Sequence, residues 1–140
     1  MKKVGIFTYW GVPNYGAWVQ AYALNNIVKE LMAPGDEVLH VNYLAGIHWS
    51  SYYKNDIQLY NAFSYNWDEI GHSPLLTSEE LENIKYDYFI TGSDSIWEFS
   101  NYNMGNDKHL VGINIKTNKL ISYAASFGNT NLNDLNEWVK

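Results

Sequence analysis

The residues from Val4 to Tyr43 constrain the fold more than any other part of the chain. A short apolar run, Val4 to Tyr9, breaks into Pro13, Asn14, Tyr15 and Gly16. A helical pattern follows in which Ala17, Ala21, Leu24, Val28 and Leu31 recur at spacings of three and four. That spacing places them on one face of an amphipathic helix. Asn14 suits its N-cap, because the side-chain oxygen can accept a backbone N–H from the first turn. Pro34-Gly35 stops the pattern, and "EVLHVNY" (Glu37 to Tyr43) reads as a second strand. Strand, helix and strand within about 40 residues make a βαβ unit, with parallel strands and a right-handed crossover.

The same alternation continues downstream. Thr77 and Glu80 form a capping box ahead of "ELENI", and Tyr86 to Thr91 reads as a third strand ending in Gly92-Ser93-Asp94. Leu110 to Ile115 suits a short extra strand or a loop. Leu120 to Ala125 reads as a fourth strand, ending in Ser126-Phe127-Gly128, and a helix capped by Asn131 or Asn133 is expected beyond it. Residues 45–76 hold Trp49, Tyr52, Tyr53, Tyr60, Phe63, Tyr65 and Trp67 without a sustained period, and read as a loosely structured, partly helical insertion packing aromatics on the surface. The expected class is α/β: a Rossmann-like, open, mostly parallel sheet with flanking helices, in one domain spanning 1–140.

Composition removes several functions. With 140 residues, 46% hydrophobic and 16% aromatic, the chain can bury a core without metal or disulfide staples. It has no cysteine, which excludes disulfides, thiolate metal sites and cysteine nucleophiles. The net charge is −6 and the nine basic residues, all lysines, are scattered, so no nucleic-acid face is expected. The apolar stretch behind Lys2 and Lys3 ends by Pro13, far short of the roughly 20 residues of a membrane span. No targeting signal is visible, and a soluble, cytoplasmic protein with no membrane span is expected. His40, His48, His72 and His109 are read as lacking an i, i+4 partner or a carboxylate at metal-ligand spacing, which favours structural or surface roles over metal.

In an open parallel sheet all carboxyl ends share one edge, where ligands bind near helix N-termini. Three breaks fall there: Pro13–Gly16, Gly92–Asp94 and Ser126–Gly128. The first can be an anion site made of free N–H groups and a helix dipole, or only a tight turn and cap. It is neither a Walker loop nor G-x-G-x-x-G. Asp94 can orient a hydroxyl or act as a general base, or it can cap the next turn. Ser93, Ser126 and Gly128 carry the same two readings. Gln20, one turn inside the helix, can reach this edge or remain a polar surface residue.

Taken together, "NYGAWVQAYAL", "ITGSDSIW" and "ISYAASFG" resemble, in order and spacing, the amino-terminal half of the polysaccharide pyruvyl transferase family. The resemblance implies a fold like the N-terminal domain of a B-type glycosyltransferase, and transfer of pyruvyl from phosphoenolpyruvate to a sugar hydroxyl as a ketal. Phosphoenolpyruvate would be the donor substrate and no further cofactor is implied. It also implies cleft-facing roles for Asn14, Tyr15, Gly16, Gln20, Gly92, Ser93, Ser126 and Gly128 in binding a small phosphorylated ligand or nucleotide sugar, and for Asp94 in catalysis. Ser95 and Glu98 depart from the Gln and Asn usual around the Ile-Trp pair. The family's second domain, with its basic residues, is absent from these residues, and the chain has no arginine. Transfer would therefore need a second domain, on another chain for example. Two alternatives belong to other classes: a freestanding phosphorylated-metabolite or nucleotide binding module without catalysis, and a self-assembling structural domain that forms a homo-oligomer.

Overall fold

A computed structural model of the chain describes residues 1–43, 56–100, 107–131 and 133. The first βαβ unit consists of β1 (Lys3–Phe7), α1 (Tyr15–Leu31) and β2 (Glu37–His40). Helix α2 (Ile57–Ser64), a 3-10 turn (Trp67–Glu69), α3 (Ser78–Asn83) and β3 (Lys85–Thr91) follow. A second 3-10 turn (Lys108–Val111) precedes β4 (Lys116–Ser122). The strands form one sheet in the order β2-β1-β3-β4, and every neighbouring pair is parallel. This is an α/β fold, as the alternation of elements implies.

Local chemistry accounts for the helix ends. Asn14 Oδ1 accepts the Ala17 N–H at 3.1 Å, and Thr77 and Glu80 make both halves of a capping box. Ala17, Ala21, Leu24 and Val28 are buried as the periodicity requires. Leu31 differs: it is 79% exposed. A helix of this length extends about 25 Å and a five-residue strand about 17 Å, so the last turn overhangs the sheet.

The two faces of the sheet bury different cores. Val4, Ile6, Val38 and Ile90 pack beneath Leu24 and Val28 of α1. Phe7, Val41 and Phe89 point the other way, against Leu81 of α3 and Ile96 and Leu110. Burying each such side chain contributes about 1.5–3 kcal/mol before entropy is counted. A third cluster joins Trp10, Ala21 and Ile70, with Trp18 and Trp67 at its margin. The described part of the aromatic-rich stretch is therefore anchored: Phe63 and Ile70 are buried. Trp49, Tyr52 and Tyr53 lie outside the described residues.

Strand β4 begins at Lys116 rather than Leu120, because parallel pairing sets Lys85 against Lys116 and Phe89 against Leu120. The segment expected as a short extra strand or a loop is not a strand: Leu110 and Val111 end a 3-10 turn closed by Gly112, and a turn leads on to Ile115. The regular part of β2 ends at His40; beyond it the Val41 N–H still donates to the Ile6 carbonyl and Tyr43 forms an isolated bridge with Leu76. Most of the expected carboxyl-terminal helix lies outside the described residues. No helix among the described residues is long and apolar enough to cross a membrane.

Candidate functional site

Strand order places the site. The chain runs from β1 out to β2, then returns across β1 to β3, so the connections diverge between β1 and β3. The carboxyl ends of those two strands flank the crevice where open α/β sheets bind ligands. Thr8 and Tyr9 follow β1 at this point, and Gly92, Ser93 and Asp94 follow β3.

Gln20 of α1 ties the segment after β1 to the loop after β3, whereas Pro13–Gly16 is not drawn into the group. Its Nε2 donates to Thr8 Oγ1 at 3.1 Å, to the Tyr9 carbonyl at 2.8 Å and to the Ala17 carbonyl at 2.9 Å. Its Oε1 accepts a short hydrogen bond from Ser93 Oγ, and Thr8 Oγ1 donates to the Ser93 carbonyl at 3.0 Å. Both ends of the amide are used. The side chain is a bridge between β1, α1 and the β3 loop, and hydrogen bonds of this kind contribute about 0.5–1.5 kcal/mol each.

The third loop joins through backbone. Asp94 and Ala125 form an isolated parallel bridge, and the Ser126 N–H donates to the Asp94 carbonyl at 2.9 Å. Trp97 N–H donates to the Ser126 carbonyl at 3.1 Å, which folds the Ser95–Trp97 segment onto the same loop. Gly92 makes this approach sterically feasible. Its φ is +111°, and a Cβ there would lie 2.0 Å from the Tyr123 carbonyl oxygen. Only glycine fits both conditions.

Asp94 itself is exposed, with φ +76°. Its Oδ1 accepts the Ser95 N–H at 2.7 Å, which leaves the carboxylate facing solvent at the crevice. A second carboxylate stands near it. Glu98 Oε1 accepts from the Asn129 N–H and Nδ2, each at 3.2 Å, and a Cβ on Gly128 would meet the Glu98 side chain at 2.7 Å. Gly128 N–H donates to Ser126 Oγ at 3.0 Å. Burial, followed by the negative charges of Asp94 and Glu98, pushes the Tyr9 phenol far above its ordinary range.

Of the residues expected from sequence, Gln20, Ser93, Asp94, Ser126 and Gly128 are linked by hydrogen bonds, while the Gly92 N–H donates to the Phe7 carbonyl. Asn14 caps α1, and Gly16 lies in its exposed first turn. Tyr15 is not brought in: its ring packs on Phe63 at 4.7 Å. Thr8 and Tyr9 were not legible as site residues in the sequence, although their position directly after the first strand was the available signal. Glu98 stood out in the sequence only as a departure.

The histidines lie elsewhere. His40 is fully buried with Nε2 3.1 Å from the Ala21 carbonyl. His109 is buried between Asp107 and Glu82, its Nε2 2.8 Å from Glu82 Oε1. Contrary to expectation, His72 has a carboxylate four residues away, Asp68, at 3.6 Å. Among the described residues no group of three or more His, Asp or Glu side chains could hold a metal ion. Comparison with protein families, curated proteins and solved structures finds no match to this chain.

Proposed function

We propose that this chain is a polysaccharide pyruvyl transferase-like domain of Rossmann-like, B-type glycosyltransferase character. It works with a second domain to move pyruvyl from phosphoenolpyruvate to a sugar hydroxyl. The observation that carries the reading is a convergence of three segments: Gln20 of α1 joins the residues after β1 to Ser93, and the Asp94 backbone joins the loop after β3 to Ser126. Three segments whose sequence resembles one family, and which share one hydrogen-bonded group at the switch point, support a single ligand site.

In this reading Asp94 orients the acceptor hydroxyl and accepts its proton as the oxygen bonds to the enol carbon of the donor. The first-turn N–H groups of α1, exposed at Gly16, face the donor's anionic groups. Ketal formation makes two C–O bonds at that carbon, breaks its bond to phosphate and adds a proton to the methylene carbon. The cationic groups that balance the donor's charge come from the second domain, since this chain has no arginine. The alternative reading is a module that binds a phosphorylated metabolite through the first-turn N–H groups of α1 and performs no transfer.

Thermal unfolding against phosphoenolpyruvate, nucleotides and nucleotide sugars tests the site. A ligand at about 100 times its dissociation constant stabilises the fold by about 2.7 kcal/mol, several degrees for a domain this size. The shift is expected to disappear in Asn14→Ala and Asp94→Asn. A shift that survives both substitutions would remove these loops from the binding site. Binding that persists with no pyruvyl transfer after a second domain is supplied would favour the binding module.

A further inference from the structure

Helix α3 meets the second 3-10 turn at His109, which is 3% exposed. Both ring nitrogens face carboxylates: Nδ1 lies 2.5 Å from Asp107 Oδ1, and Nε2 lies 2.8 Å from Glu82 Oε1. The other groups on these carboxylates are donors too. The His109 backbone N–H donates to Asp107 Oδ1 at 2.9 Å, the Tyr43 hydroxyl to Asp107 Oδ2 at 2.5 Å, and Asn114 Nδ2 to Glu82 Oε1 at 2.9 Å. An ionised carboxylate only accepts, and a neutral imidazole has one N–H, so a neutral ring would turn a lone pair toward one of the two. The imidazolium, with two N–H groups, makes both contacts attractive.

The titratable groups that face the ring come from three places. Glu82 is on α3; Asp107 and Lys108 are in the ring's own segment, with Lys108 Nζ 3.6 Å from Glu82 Oε1; Tyr43, beyond β2, meets the imidazole edge-on at 5.3 Å. Glu82 is drawn down to about 2, first by the Asn114 hydrogen bond and next by that from His109. Burial, followed by the Asp107 hydrogen bond, pushes the Tyr43 phenol up to about 12. Glu82 therefore accepts and Tyr43 donates throughout the neutral range.

The histidine sits on a stretch of chain that reaches the crevice. Its turn is short, and the Gly112 and Ile113 N–H groups close it on the His109 and Lys108 carbonyls at 3.0 and 3.2 Å. The next carbonyl, that of Leu110, accepts from Trp97 Nε1 at 2.8 Å. Trp97 donates its backbone N–H to the Ser126 carbonyl, and its ring packs on Phe127 at 5.3 Å. We propose that His109 is a proton-operated latch on the third loop: the imidazolium pins the turn to α3, and loss of a ring proton frees the turn and, through Leu110 and Trp97, the Ser126 loop. Deprotonation removes one of the two hydrogen bonds and sets a lone pair against a carboxylate oxygen at a buried position, where unmatched polar groups are costly. The latch acts on Ser126 and Gly128 whatever ligand the crevice takes, and makes that wall of the site sensitive to pH.

NMR of the full chain from about pH 5 to 9 tests the latch without any ligand. The His109 ring, the Trp97 indole N–H and the Ser126 amide are expected to titrate with one midpoint. Glu82→Gln removes a negative charge from one side of the ring, so all three midpoints should move to lower pH together. In His109→Gln the Trp97 and Ser126 signals should lose their shared titration, while His72→Gln, which removes the histidine beside Asp68, should leave it in place. Glu82 is only half-buried, so its variant carries the comparison if His109→Gln does not fold. Three results would each overturn the latch: a ring that keeps one protonation state across the range, Trp97 and Ser126 signals that stay still while the ring titrates, or a midpoint that moves in Glu82→Gln for the ring alone.

Discussion

Replacing Gly92 by alanine tests whether the three loops depend on one close backbone contact. At φ +111° an L-residue costs about 1–2 kcal/mol over glycine. The added Cβ would also stand 2.0 Å from the Tyr123 carbonyl oxygen and 3.1 Å from the Ala125 N. Both are backbone atoms, so no side-chain rotation relieves the clash, and pushing two loops apart costs a further 1–3 kcal/mol or so. The total is about 2–5 kcal/mol. A domain of this size loses about 4 °C per kcal/mol, so Gly92→Ala is expected to melt about 8–20 °C lower. Gly35→Ala is the control. Its φ is +94°, but a Cβ there meets nothing within 4 Å, so only the conformational cost applies. That predicts a loss of about 4–8 °C. Differential scanning calorimetry of both variants separates the two terms. If Gly92→Ala melted no lower than Gly35→Ala, the packing of the β3 loop on Tyr123–Ala125 would not be as described.

Other expectations concern polar groups. Gln20→Leu removes the bridge between Tyr9 and Ser93, and is expected to cost about 1–3 kcal/mol in urea unfolding; an unchanged midpoint would make the bridge incidental. His40 is held at about 3 by burial foremost, so the unfolded chain takes up a proton near 6.5 that the folded chain refuses. Its contribution is intact above pH 6.5 and is lost as pH falls toward 3, at up to about 1.4 kcal/mol per pH unit. The pH dependence of melting should therefore flatten in His40→Phe whatever that variant's absolute stability; an unchanged slope would mean another group titrates. Glu82 is lowered to about 2, first by the hydrogen bond from Asn114 and next by that from His109. Its stabilisation is present above pH 4.5 and disappears as pH falls toward 2, so Glu82→Gln should lose less stability than wild type over that interval.

Features fixed by neighbours in sequence were legible before the structure. The Asn14 cap, the Thr77–Glu80 box and the periodic face of α1 depend on residues within a few positions of one another. So does β3, whose run from Tyr88 to Thr91 is aromatic and β-branched up to Gly92. Strand β4 starts four residues before the apolar run at Leu120, through the polar Lys116, Asn118 and Lys119. Their polarity reflects an exposed strand, and lysines on an edge guard against unwanted pairing. His109 could not be read from its own surroundings alone, since Glu82 reaches it from 27 residues away. The candidate site divides the same way. Its glycines and Asp94 stood out at strand ends, whereas the roles of Gln20, Thr8 and Tyr9 are set by partners on other elements.

The exposed apolar residues of the sheet edge bear on the same account. Leu120, Tyr123 and Phe127 are 47%, 51% and 44% exposed. Parallel sheets ordinarily bury both faces, and in the two-domain reading proposed above this is the side that the second domain would cover. Leu120→Ser is expected to leave the melting temperature of the isolated chain within about 2 °C, because an exposed position contributes little. It should weaken binding of a second domain, measured by isothermal titration calorimetry. Unaltered binding would place that domain elsewhere.

The central claim is that three loops form one site, and a ¹H–¹⁵N titration with phosphoenolpyruvate reads it most directly. The amides of Ala17, Ser95, Ser126 and Gly128 report on the three loops separately. The account predicts that all of them shift along curves with a single dissociation constant, and that Asp94→Asn alters every curve together. Shifts confined to one loop, or dissociation constants that differ between loops, would contradict it.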